Sequence, residues 1–240
     1  MDPTTLAILP DLQADAFAQM AEDALFLDHY PNSHHLRFRH YTWAQPAFTF
    51  GYSQAYRWVR DQLPEPMQLC RRMTGGGLVD HRADWTYALV IPPRHAWYAQ
   101  TASETYRRIH KTLAQALMQT GQAAVVGPLA GPDSSRRSSG IPTFCFRRAE
   151  PCDVIEPGTG SKIAGAALRR NRRGLLLQGS VEQSLAAGVL DWEAFRQRFI
   201  VGLEECLAAP AMSVPRPQYP DGQEKAMHQR FASHDWNRRR

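Results

Sequence analysis

Arg71-Arg72-Met73-Thr74-Gly75-Gly76-Gly77-Leu78-Val79-Asp80-His81 is the stretch from which the rest of the chain is best read. Three successive glycines let the backbone take positive φ and approach a ligand with no side chain in the way. Amide N–H groups there can meet a carbonyl or phosphate oxygen; a plain flexible turn is the competing reading. Arg71 and Arg72 favour an anionic ligand, because guanidinium pairs well with carboxylate or phosphate.

The segments around this turn alternate between strand and helix patterns. Upstream, Phe17, Met20, Ala21 and Ala24 recur at helical spacing. Leu36, Phe38 and His40 alternate with Arg37, Arg39 and Tyr41, and Phe48, Phe50 and Tyr52 alternate with Thr49 and Gly51, so both runs predict strands. Residues 67–73 predict a short strand entering the glycine turn, and 86–91 a buried strand ended by Pro92-Pro93. Thr101 and Glu104 have the spacing of a capping box, followed by a helical stripe of Tyr106, Ile109, Leu113 and Leu117. Residues 127–140, rich in Gly, Pro, Ser and Arg, read as a mobile loop. Strands follow at 153–156, 162–168 and 175–181, with Asn171 and Gly174 bounding the last turn. Asp191 is placed to cap a helix carrying Phe195, Phe199 and Leu203. A Pro-rich linker at 210–220 leads to a final basic helix for which Asp221 and Glu224 repeat the capping pattern. Mixed elements of this kind predict an α+β (mixed α/β) domain with a central sheet.

The bulk properties bound the function classes. The chain has 240 residues, 43% hydrophobic and 21% charged, with net charge +5 and a pI near 9.2. A core can form, and no stretch approaches the ~20 apolar residues of a membrane span. Residues 1–10 lack the charged start and apolar core of a signal peptide, so a cytoplasmic protein is expected. The arginine clusters attract an acidic protein or nucleic acid; solvated loops and a frayed tail explain them equally well. The nine histidines and four cysteines show no metal-ligand spacing, and no metal site is expected.

Three further features carry chemistry. Gly158-Thr159-Gly160-Ser161-Lys162 lacks the Gly-Lys-Ser/Thr order of a phosphate loop and reads as a tight hairpin turn. Lys162 opens the small-residue run Ile163-Ala164-Gly165-Ala166-Ala167, which can lie against a ligand or another backbone. It is an ordinary solvated charge or a holder of an acyl carbonyl or oxyanion. Cys145, between Phe144 and Phe146, is a buried thiol or a nucleophile whose pKa Arg147, Arg148 or Lys162 lowers. Cys152 has the less helpful neighbours Pro151 and Asp153.

On the double arginine, glycine turn and later His81, the chain resembles the lipoate-protein ligase and octanoyltransferase (biotin/lipoate protein ligase) family. Lys162-Ile-Ala-Gly165-Ala-Ala is similar to that family's lysine motif, and Leu177-Gln178-Gly179-Ser180 to its His-Gly-Ser/Thr segment. Smaller similarities lie at residues 20–23, 50–54 and 231–237, so the resemblance covers about residues 17–237. It implies a central mixed sheet with flanking helices. It also implies a catalytic domain over 1–209, with 210–240 as a linker and basic helix packed on the same domain.

The resemblance implies one of two chemistries. Cysteine-dependent octanoyltransferases take the acyl group from acyl carrier protein through a thioester and need no cofactor. ATP-dependent lipoate ligases form an acyl-adenylate with ATP and Mg. Cys145-Phe146 ahead of Asp153, the segment Asp84-Trp-Thr86-Tyr87, and the lack of room for an accessory domain after residue 210 are closer to the transferases. The implied catalytic residues are Cys145 and Lys162. The implied substrate-binding residues are Tyr52, Arg71, Arg72, Gly75, Gly76, Gly77, His81, Asp153, Gly165, Gln178, Gly179 and Ser180. Implied partners are acyl carrier protein and lipoyl domains of the glycine cleavage H-like or 2-oxoacid dehydrogenase E2-like kind. In the ligase alternative Cys145 is incidental and the arginines and glycines meet the adenylate; a non-catalytic holder of lipoyl domains is a third reading. Two residues depart from the family: Gln178 stands where His is usual, and Leu168 where octanoyltransferases often have Gln.

Overall fold

The computed structural model describes residues 5–31, 34–63, 67–127, 149–189 and 191–239. In chain order these form β1 (Leu6–Ile8), β2 (Leu12–Ala14), α1 (Ala16–Asp28), β3 (Leu36–Trp43), β4 (Ala47–Phe50), α2 (Tyr56–Arg60), β5 (Gln68–Arg71), β6 (Val79–Asp80) and β7 (Asp84–Ile91). After a 3₁₀ turn at Ala96–Ala99 come α3 (Ala102–Gln119), β8 (Val125–Val126), β9 (Val154–Ile155), β10 (Lys162–Asn171) and β11 (Gly174–Glu182). The chain then runs through α4 (Trp192–Leu207), β12 (Ala211–Ser213), α5 (Gln223–Ala232) and α6 (His234–Asn237).

The larger sheet runs β12-β1-β3-β7-β11-β10-β9-β8, with β2 also on β3; a smaller sheet runs β5-β4-β6. Both mix parallel and antiparallel pairs: in the larger sheet β12-β1-β3 and β2-β3 pair in parallel and β3-β7-β11-β10-β9-β8 pair antiparallel, while in the smaller β4 is parallel to β5 and antiparallel to β6. This is the α+β class with a central mixed sheet that the sequence predicts.

Period-two alternation divides β7 and β11 between two cores. Trp85, Tyr87, Leu89 and Ile91, with Leu175 and Leu177, face α3 and α4, where Ile109, Leu113, Leu117, Phe195, Phe199 and Leu203 meet them. Ala88, Val90 and Leu176 face the other way, onto α1, the small sheet and the C-terminal helices. Gln178 and Ser180 share that second face, so the break in its apolar character falls where α1 and the glycine turn leave a gap.

Several helix starts follow the sequence. The Thr101 side chain accepts from Glu104 N–H, and Asp191 accepts from Glu193 and Ala194 N–H, each satisfying an otherwise orphaned donor. The C-terminal region departs from its prediction in two places. Residues 211–213 of the Pro-rich stretch form a strand, because β1 offers a parallel edge from Leu6 to Ile8. Helix α5 starts from Gly222 at φ +79 with no side-chain cap, so Asp221 does not cap it. Helix α5 packs along α1, and Trp236 and Asn237 of α6 reach β5. Among the described residues no helix is long and apolar enough to cross a membrane.

Candidate active site

The glycine turn is built by Arg72. Its guanidinium donates to the carbonyls of Gly75 (2.8 Å) and Gly77 (2.9 Å) and to the Thr49 hydroxyl (2.8 Å). Of the three glycines only Gly76 takes the left-handed region, at φ +88. Its carbonyl oxygen lies so close to Gly51 that a Cβ on Gly51 would sit 2.0 Å from it. Two glycines on different segments therefore let the turn fold flat against the end of β4; locally Gly51 is only one position of a strand alternation, and its close approach to Gly76 comes from the fold.

Beneath the turn lies a partly open cleft. One wall comes from Thr49, Arg72, Gly76, Val79 and His81; the facing wall is the sheet surface of Gly165, Ala166, Ala167, Gln178, Gly179, Ser180 and Thr86; Met20 and Tyr41 contribute from α1 and β3. Gly165 pairs with Ser180, and Ala167 with Gln178, across β10 and β11. Small residues on adjacent strands make a flat wall against which an extended chain can lie.

The predicted residues divide in three groups. Arg72, Gly76, His81, Gly165, Gln178, Gly179 and Ser180 line the cavity. Lys162 and Asp153 stand beside it, both buried, with Nζ 2.8 Å from Asp153 Oδ2. A Cβ on Gly165 would fall 2.6 Å from Lys162 Nζ, so the lysine lies over a residue that has no side chain. A third group is turned elsewhere. Arg71 is fully buried and donates to the backbone carbonyls of Tyr52, Gln54, Trp236 and Asn237. Its place is a clamp between the turn and α6, not the cavity lining where an anionic ligand was expected. Tyr52 stacks under Arg239, 3.9 Å from ring to guanidinium, and also lies outside the lining. Gly75 and Gly77 contribute their carbonyls to Arg72. Cys145 lies outside the described residues, as does most of the 127–140 loop.

Two polar networks hold the walls. His81 Nδ1 lies 2.7 Å from Asp84, its Nε2 lies 2.6 Å from the Thr49 hydroxyl, and Trp43 stacks on its ring at 4.0 Å. Thr86 and Ser180 donate to the same Asp84 oxygen. Gln178 donates to Asp23 (2.5 Å) and accepts from Thr74 (2.7 Å); Asp23 is in turn ion-paired with Arg39 at 2.7 Å. The amide thus serves as both donor and acceptor at the position where the family usually has His. Asp84, Thr49 and Asp23 were not read as site residues. Asp23 and Asp84 stand out in the sequence only within longer motifs; the packing of α1 on the sheet brings Asp23 to Gln178, and strand pairing brings Asp84 to Ser180.

The free thiols differ in setting. Burial pushes the Cys70 thiol well above its ordinary value and raises that of Cys152 as well, so neither is poised as a thiolate. Among the described residues no cluster of His, Cys, Asp and Glu is arranged to hold a metal ion.

His110 on α3 is fully buried near Lys162, and its desolvation lowers its pKa to about 4. The folded imidazole stays neutral while an unfolded one, near 6.5, takes up a proton. Stability present above pH 6.5 is therefore lost as pH falls towards 4, by on the order of 3 kcal/mol. Urea titrations at pH 7 and pH 5 are expected to show this slope in the wild type and a flatter one in His110→Gln.

The family model for the lipoyl protein ligase A/B catalytic domain matches residues 15–192. A curated relative from Oceanobacillus iheyensis, octanoyltransferase LipM, is 30% identical over 77% of this chain and 66% of its own length. Octanoyltransferase LipM of Moorella thermoacetica is 27% identical over 86% of this chain and 80% of its own. With the Macrococcus caseolyticus relative the match spans 54% of that protein, so the chain spans from about half to four fifths of these relatives. A lipoate-protein ligase A bound with ATP superposes with TM-score 0.70, at 17% identity, over 98% of both chains. The bipartite lipoate protein ligase of Thermoplasma acidophilum, solved in a study with its E2 lipoyl domain, gives 0.67 at 16% identity over 98% of this chain and 96% of its own. At such identities the likeness is one of fold.

Proposed function

The chain belongs to the lipoyl protein ligase A/B catalytic domain family, and from that premise we propose that it is an octanoyl- or lipoyl-transferase working through a thioester on Cys145. The observation that carries the reading is the buried Lys162, held by Asp153 over Gly165 at the edge of a cavity walled by small residues. An ammonium fixed beside a cleft walled by small residues is suited to a developing oxyanion. The octanoyltransferase relatives favour the transferase branch over the ligases; Cys145 as nucleophile is supported by burial raising the thiols of Cys70 and Cys152 and by Cys206 packing against the core on the other side of the sheet.

In the first step the Cys145 thiolate attacks the thioester carbonyl of an acyl carrier protein. The tetrahedral oxyanion collapses, the C–S bond to the carrier breaks, and the carrier leaves as a thiolate that takes up a proton. In the second step the neutral ε-amine of a lipoyl-domain lysine attacks the enzyme thioester. An amide forms, the amine gives up a proton, and Cys145 leaves as thiolate. Splitting one hard transfer into two easier ones is what a covalent nucleophile provides. The incoming thioester supplies the activation, so ATP, Mg and other cofactors are not consumed. The cavity holds the acyl chain, and the basic surface attracts both acidic partners. The acceptor is a lipoyl domain of the glycine cleavage H-like or 2-oxoacid dehydrogenase E2-like kind.

Incubation with octanoyl-acyl carrier protein without ATP is expected to leave a hydroxylamine-labile octanoyl adduct, seen by intact-mass spectrometry, that chases onto a lipoyl domain. Lipoate attachment that requires ATP, with no adduct, would replace this reading with the ligase.

A further inference from the structure

We propose that Tyr106 is a positioning residue for Lys162, acting through Asp153. The proposal rests on the reading of Lys162 above as the acyl-site cation.

Tyr106 and His110 lie one turn apart on α3, on the same face, with ring centroids 4.0 Å apart. Both engage the turn that carries Asp153. His110 Nδ1 donates to the Cys152 carbonyl at 2.7 Å. Cys152 sits at φ +67, a conformation costly for a non-glycine residue and kept only where its surroundings over-determine it. The carbonyl bond from His110 is one such constraint. The Asp153 carbonyl, accepting from Gly127 N–H at 2.7 Å, is another.

The Tyr106 hydroxyl has a defined polarity. The backbone N–H of Ala166 can only donate, so the hydroxyl accepts from it at 2.9 Å. Its own proton then points to Asp153 Oδ1, 2.5 Å away. Asp153 Oδ2 takes Lys162 Nζ at 2.8 Å and Glu150 N–H at 2.7 Å. Both carboxylate oxygens are thus occupied and the rotamer is locked. An extra residue on β10 between Lys162 and Ala164, opposite consecutive residues of β9, adds a local irregularity of the kind that re-aims a side chain beside a site. The same hydroxyl ties the lysine's partner to the β10 backbone at Ala166, next to the cavity-lining Gly165. It therefore sets where the ammonium stands relative to the acyl carbonyl.

The test is pulse acetylation of the full chain, with each lysine read by peptide mass spectrometry. The chain has three lysines, and Lys111 and Lys225 are exposed internal references. In the wild type Lys162 is expected to react far more slowly than either. In Tyr106→Phe its labelling rises several-fold while the references do not change. Octanoyl transfer falls about 10- to 100-fold in kcat, the scale of a misplaced catalytic group, with KM for the acyl carrier protein unchanged. Asp153→Asn raises Lys162 labelling in the same way, and adding Tyr106→Phe to it has no further effect. Wild-type labelling and kcat in Tyr106→Phe, or additive effects in the double variant, would overturn the proposal. Raised labelling in a protein whose wild type forms no acyl adduct keeps the positioning role and discards the transferase. An adduct with unaltered labelling does the reverse.

Discussion

Cys145→Ser is expected to abolish the octanoyl adduct and to slow transfer to a lipoyl domain by roughly 10⁴-fold or more, the scale on which loss of a nucleophile acts. The effect is large because a thiol is a few per cent thiolate at neutral pH and intrinsically very nucleophilic, whereas a serine hydroxyl needs an adjacent base. Cys70→Ala and Cys206→Ser are the controls. Cys70 is fully buried beneath α1, and Cys206 packs on the α3–α4 side of the sheet, opposite the cavity. Both controls are expected to keep the adduct. Retention of adduct and turnover by Cys145→Ser would remove Cys145 from the mechanism.

Lys162→Met is expected to lower the rate of thioester formation by about 10²–10³-fold, the usual loss when one oxyanion-stabilising donor is removed. It also strips Asp153 of its cation, and breaking a buried pair costs about 3–5 kcal/mol because one charge is left uncompensated. Stability and chemistry must therefore be separated. In Lys162→Met/Asp153→Asn no unpaired charge remains, and the thermal midpoint is expected to recover most of the loss. The rate is expected to stay as low as in Lys162→Met. Recovery of rate together with stability would make the lysine structural. The double variant decides between the two roles, since a charge that acts on the substrate is not restored by neutralising its partner.

Much of this protein is determined by local sequence. The alternating run at 36–41, the buried run at 86–91 closed by Pro92-Pro93, and the run at 175–181 after the Asn171–Gly174 turn predict β3, β7 and β11. Thr101 and Asp191 start helices as their side-chain chemistry dictates. Asn171 and Gly174 pair across the β10–β11 turn, with the Asn171 side chain accepting from Arg173 N–H. The glycine turn, the Lys162 motif and the Gln-Gly-Ser segment are legible because each needs particular residues at fixed spacing.

Other features depend on which segments meet. Nothing local separates Arg71 from Arg72, yet strand alternation sends one guanidinium into the carbonyls of residues 236 and 237 and the other under the glycine turn. The arginines of β3 alternate as surface residues do, but α1 covers that face. Arg39 consequently ends in a buried pair with Asp23, which also holds Gln178. Tyr106 reads as one apolar residue of a helical stripe; only the approach of α3 to the turn at 150–153 makes its hydroxyl a partner of Asp153. Local sequence specifies backbone conformation and the buried face, because propensity, capping and periodicity act over a few residues. It does not specify the partners of a buried polar group, which come from segments distant in the chain: Asp23 and Gln178 are 155 residues apart, and Arg71 and Asn237 are separated by 166.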